Sequence, residues 1–201
     1  MKVRAWGLLV LMSLWGGYAS VAQVVSRPLT KDESDVARTR IVASLVKGVA
    51  GPVSVEKGQE FAVSGEGFGS FWLEPVRYLS HDPGGDGASY RCGVFVLPAK
   101  GAATFVPTLG YKWTEAMRCD GLDGLGFSAG DGHGPPRVLL LYSAESPNAA
   151  VKDPMVLDWN AAAQRYAGNE RLSRRLEDDG KALSIAGIKR QLKSYEGGGE
   201  K

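Results

Sequence analysis

Arg137-Val138-Leu139-Leu140-Leu141-Tyr142-Ser143 is the stretch that decides the fold. Its five central residues are apolar without interruption, so neither face of a strand built from them suits water. Such a strand is buried on both sides and central to its sheet.

Outward from it, residues 52–160 keep one texture. Short β-branched and aromatic runs alternate with Gly, Pro and Asp clusters, which is how antiparallel strands and their turns read. The runs fall at 53–56, 60–64, 71–79, 89–97, 103–106, 111–119, 137–143 and 155–159, with Arg165-Tyr166-Ala167 able to return as a partner strand. Lys57-Gly58 and residues 83–87 read as turns. The glycines of Gly65-Glu66-Gly67-Phe68-Gly69 fit neither a dinucleotide fingerprint nor a phosphate loop, and are read as bending or bulging a strand.

Helical signals flank this region. Residues 30–47 open with a capping box, Thr30 with Glu33, carry Asp32 and Asp35 at the positive end of the dipole, and end before Gly48. Ala37, Ile41 and Leu45 recur every fourth position beside Val42 and Val46, one apolar stripe by which the helix packs on the core. At the other end, Asn169 caps a helix carrying Leu172 and Leu176 and ending at Gly180. A second helix over 184–195 carries Ile185, Ile188 and Leu192. The fold expected is a single α+β domain over residues 23–196: an antiparallel sheet or sandwich of about seven or eight strands, one N-terminal helix and two C-terminal helices.

The first 22 residues read as a signal peptide. Lys2 and Arg4 form a basic n-region, residues 5–15 an uncharged apolar core, and Ser20-Val21-Ala22 a small-residue cleavage site before Gln23. Gly16, Gly17, Ser20 and Gln23 dilute the apolar run below a convincing membrane span. The first cysteine is Cys92, too late for a lipid-modified leader. The chain has 24 basic and 22 acidic residues; losing Lys2 and Arg4 balances them, which removes any global attraction to nucleic acid or anionic lipid. Residues 197–201 are expected to form a flexible tail.

Cys92 and Cys119 are the only cysteines. In an exported chain an even count favours a disulfide, and closing that loop contributes about 3.5 kcal/mol in the chain-entropy model. A zinc site from these cysteines with His81 and His133 lacks the close ligand pairs such sites need, so no metal and no cofactor is expected.

One stretch matches a catalytic pattern: Gly126-Phe127-Ser128-Ala129-Gly130 has the G-x-S-x-G form. The glycine-rich residues before it do not form the buried strand of a nucleophile elbow, those after it cannot begin a helix, and no histidine follows His133. With 27 glycines in the chain, a chance match is expected. Asp120, Asp123 and Asp131 match no calcium-loop spacing and read as solvated turn acids.

Residues 120–136 then read as a long glycine-rich loop anchored by Cys119. Leu122, Leu125 and Phe127, with Asp131 and His133, are its candidate binding residues. The alternative is that the three apolar side chains tuck back onto the core. Trp72, Trp113 and Trp159 are core aromatics before they are interface anchors.

Size, export, a disulfide and the lack of a catalytic constellation point to a soluble, non-enzymatic binding protein of the periplasm or the secreted space. An inhibitor or immunity-type protein with a protein partner fits best. An accessory subunit of an envelope assembly and a hydrolase using Ser128 are the rivals.

Overall fold

The computed structural model describes residues 24–43, 53–81, 88–109, 118–130, 134–146 and 149–197. The stretch read as a signal peptide, His133, Asp131, Trp113, the expected turn at 83–87, residues 44–47 of the expected first helix and the last four residues lie outside them.

The elements run β1 (Val24–Pro28), α1 (Lys31–Ala43), β2 (Ser54–Val55), β3 (Phe61–Gly65), β4 (Gly69–His81), β5 (Ala88–Pro98), β6 (Thr104–Leu109), β7 (Arg118–Ser128), β8 (Arg137–Glu145), β9 (Ala150–Asn160), β10 (Arg165–Gly168), α2 (Glu170–Asp179) and α3 (Ile185–Gly197). They form two antiparallel sheets. The first, of six strands, has the order β1-β3-β4-β5-β6 with β2 beside β4; the second, of four, has the order β10-β9-β8-β7. The α+β reading, with one N-terminal helix and two C-terminal helices, is therefore correct. Strand β1, which carries Arg27 and Pro28 and lacks an apolar run, is an addition to it.

The quoted stretch is a central strand, and its two faces have different neighbours. Val138, Leu140, Tyr142 and Ala144 point into the space between the sheets, where they meet Leu73, Cys92, Val94 and Val96. Leu139 and Leu141 point the other way and pack with Val156 under Leu176, Ile188 and Leu192 of α2 and α3. In β5 the same alternation puts Cys92, Val94 and Val96 inside and Phe95 and Leu97 outside, under Ala37 and Ile41 of α1. The result is four layers: α1, first sheet, second sheet, α2 with α3. Each leucine buried in such a stack contributes roughly 1.5–3 kcal/mol.

The caps form as read. The Glu33 carboxylate accepts from the Thr30 N–H at 2.9 Å, and Thr30 Oγ1 accepts from the Glu33 N–H at 3.3 Å. Asn169 Oδ1 accepts from the Leu172 N–H at 2.9 Å, and Gly180 closes α2 in the left-handed region at φ 62°.

Two readings need correction. Residues 120–128 are not loop: they belong to β7, which pairs with β8 from Arg118↔Glu145 to Ser128↔Arg137. The register shifts between Cys119 and Gly121 and again between Leu122 and Gly124. Each extra residue restores the inward direction, so Cys119, Leu122, Leu125 and Phe127 all face the interior despite uneven spacing. The second concerns residues 65–69, which make the tight hairpin between β3 and β4, with Gly65↔Gly69 paired and Gly67 and Gly69 at φ 88° and 75°.

Candidate functional site

The sandwich has one clamped end and one open end. At the clamped end Cys92 of β5 and Cys119 of β7 form a disulfide between the sheets, with Cα atoms 5.8 Å apart. Beside it, Arg77 Nη1 donates to the Asp120 carbonyl at 2.6 Å, and the Glu56 carboxylate accepts the Leu122 N–H. Both contacts satisfy backbone groups at the β7 bulges. Burial raises the Glu56 carboxyl, with Arg77 and the Leu122 N–H opposing it. The Glu56 oxygens also lie beside Gly121, 3.8 Å from where a β-carbon would stand, an ordinary contact distance. Deeper inside, Thr108 Oγ1 donates to the Tyr142 hydroxyl oxygen at 2.9 Å. Asp153 is paired opposite Tyr142 and is pushed up to about 7 by burial and by Glu177.

The open end holds two hollows. The first is a cleft of about 480 Å³ between the edge strands of the two sheets, β1 and β7, lined by Val24, Phe61, Leu125, Phe127, Ser128 and Lys189 among others. Phe61 and Phe127 meet edge to face at 6.0 Å on its floor. The Ser128 hydroxyl is buried and has no hydrogen-bond partner. Lys189, the one charged residue among the described lining, is in no ion pair with a described residue. The second hollow, about 390 Å³, lies between the β3–β4 hairpin, the start of β6 and the β9–β10 turn, with Trp159 on its wall. It adjoins a smaller one of about 170 Å³ that shares Gly134, Pro135, Trp159 and Ala161.

Behind Trp159 lies a charged network. Arg137 donates from Nε to Asp158 at 2.6 Å and from Nη1 to Glu196 at 3.0 Å, and Asn169 Nδ2 donates to the other Asp158 oxygen at 2.6 Å. Burial disfavours the Arg137 charge, and the two carboxylates outweigh it, so its pKa is raised. This network ties the ends of β8 and β9 to both C-terminal helices.

Of the candidate binding residues, Leu125 and Phe127 line the β1–β7 cleft. Leu122 packs deeper against the core beside the bulges. Asp131 and His133 lie outside the described residues. The G-x-S-x-G stretch ends a strand rather than turning into a helix, and Gly126 is buried under Ile185. Asp120 and Asp123 are strand residues held by cations: Asp120 by Arg118 at 3.1 Å, Asp123 by Lys152 at 2.6 Å. Trp72 and Trp159 pack against buried clusters as half-buried residues.

Two arrangements escaped the sequence reading. Ser143 Oγ lies 2.8 Å from Lys152 Nζ, and both contact Asp123. This cross-strand cluster sits on the outer face of the second sheet, and none of its members lines any of the three hollows. Lys189 and Phe61 were missed as cleft residues because each belongs to an element read only for its core face. Their meeting depends on how the sheet edges are set, which no local pattern encodes. Among the described residues there is no cluster of metal-binding side chains and no helix long and apolar enough to cross a membrane. No family model, curated protein or solved structure matches this chain.

Proposed function

We propose that this is an exported, non-enzymatic binding protein whose partner is another protein of the periplasm or the extracellular space, as for an inhibitor or immunity-type protein. The observation that carries the reading is the cleft between β1 and β7. It joins an apolar floor, Phe61, Leu125 and Phe127, to the Ser128 hydroxyl, which has no hydrogen-bond partner among the described residues, and to the exposed Lys189, in no ion pair with one. Strands β1 and β7 are sheet edges, so each leaves one row of backbone groups free to pair with an extended segment of a partner. The leader sequence and the disulfide support export.

The test is crosslinking in the native envelope. A photoreactive residue replaces Ser26, on the rim of the cleft, and separately Arg174, on the exposed side of α2. A discrete protein adduct from position 26 alone supports the reading. Equal adducts from both positions, or none from either, overturns it. Ser128→Ala is the companion variant: loss of a measurable hydrolytic activity with folding intact would replace the binding reading with a hydrolase.

A further inference from the structure

We propose that the hollow at the open end of the sandwich, on the wall of which Trp159 lies, binds a neutral sugar ring. This site is separate from the β1–β7 cleft and does not depend on the partner proposed there.

At about 390 Å³ the hollow falls within the range of small-molecule sites. Its described lining is uncharged, which suits a neutral ligand. Aromatic rings form part of the wall: Phe68 and Phe71, with centroids 6.0 Å apart, and Trp159. Polar groups stand between them. The Ser70 hydroxyl and the Trp159 indole N–H are in no hydrogen bond with a described residue. The indole N–H is a donor only, and a ligand hydroxyl in the hollow could accept from it. Gln164 adds an amide. It is the one non-glycine residue at positive φ among those described, at 49°, and its side-chain N–H donates to the Ala161 carbonyl at 2.7 Å. That bond fixes the amide and leaves its oxygen as an acceptor. A strained position that orients a polar side chain beside a hollow is the pattern found at ligand clamps.

A ring with apolar C–H faces and equatorial hydroxyls matches this surface: the faces stack on the aromatic rings and the hydroxyls exchange hydrogen bonds with Trp159, Ser70 and Gln164. A peptide strand matches it less well. The nearby edges, β6 and β10, lie against each other, which narrows the approach of an extended backbone to either.

The full exported chain is titrated with glucose, galactose, mannose and N-acetylglucosamine and with their tetrasaccharides, by calorimetry and by tryptophan fluorescence. At least one neutral sugar is expected to bind saturably in the millimolar range or tighter, with the tetrasaccharide no weaker. Gln164→Ala, at an exposed turn, is expected to weaken it about 10-fold, the loss of roughly one hydrogen bond. Ser70→Arg, which fills the hollow from an exposed position, is expected to abolish binding while the melting temperature holds. Trp159→Phe is expected to remove the fluorescence change. The proposal is overturned if no sugar binds at about 50 mM, far above a millimolar dissociation constant. It is overturned equally if binding survives Ser70→Arg, or if only an anionic sugar or a neutral aromatic peptide binds.

Discussion

Ile185 of α3 rests directly on the backbone of β7 at Gly126: a β-carbon there would stand 2.4 Å from Ile185 Cγ2, and one at Gly124 would stand 3.1 Å from Cγ1. The glycines of β7 are the seat of a helix. Gly126→Ala should therefore destabilise the protein by about 1–3 kcal/mol through overpacking. Ile185→Ala in the same chain should recover part of that loss, a coupling that urea denaturation of the two single variants and the double variant measures. Unchanged stability in Gly126→Ala would show that α3 does not seat there.

The disulfide holds the sheets together at one end only. Replacing Cys92 and Cys119 together by alanine should cost about 3.5 kcal/mol by the loop-entropy model. The same shift should appear when the native protein is denatured with and without a reductant. Equal midpoints would mean that the sandwich core alone fixes the clamped end.

Stability should fall as pH rises from about 5 to about 8. Glu74 is fully buried on the outer face of the first sheet, both its oxygens lack a hydrogen-bond partner, and burial with a contribution from Glu60, opposed by Arg38, pushes it from 4.5 up to about 8. Asp153 moves the same way, to about 7. A raised native pKa means that the folded state holds its proton more tightly than the unfolded chain. The stability this contributes is whole below the ordinary carboxylate range and is lost as pH climbs to about 8. Each group adds a slope approaching 1.4 kcal/mol per pH unit within its window. Glu74→Gln should flatten the profile of unfolding free energy between about pH 5 and 8. A profile as steep as that of the parent would show that Glu74 ionises freely.

Tyr142 and Thr108 hold the one hydroxyl pair inside the sandwich core among the described residues. Tyr142→Phe leaves the Thr108 hydroxyl buried without that partner and should cost about 1–3 kcal/mol. Thr108→Val alone should cost a similar amount, and the double variant less than the sum. Additive losses in thermal or chemical unfolding would argue that the two hydroxyls do not act as a pair.

Much of the architecture was legible because its causes are local. The capping box at Thr30 and Glu33, the Asn169 cap and the Gly180 stop are satisfied within a few residues. The apolar positions Ala37, Ile41, Leu176, Ile188 and Leu192 are buried as their spacing requires. The candidate site was half legible. Leu125 and Phe127 do reach a cleft, but as edge-strand residues on its floor rather than as a loop's exposed tips. Phe61 and Lys189 join them from β3 and α3, more than sixty residues away on either side, and nothing in their own segments announces that.

Val138-Leu139-Leu140-Leu141-Tyr142 shows what the sequence determined by itself. An uninterrupted apolar strand needs cover on both faces; the structure supplies a second sheet on one side and helices on the other. The partner of that strand, β7, shows what only the tertiary structure decided. Glycine weakens a strand locally, and two bulges break the alternation by which a strand is recognised. The contacts that offset this come from afar: Ile185 on Gly124 and Gly126, Arg77 and Glu56 on the bulged backbone, and Cys92 across the sheets.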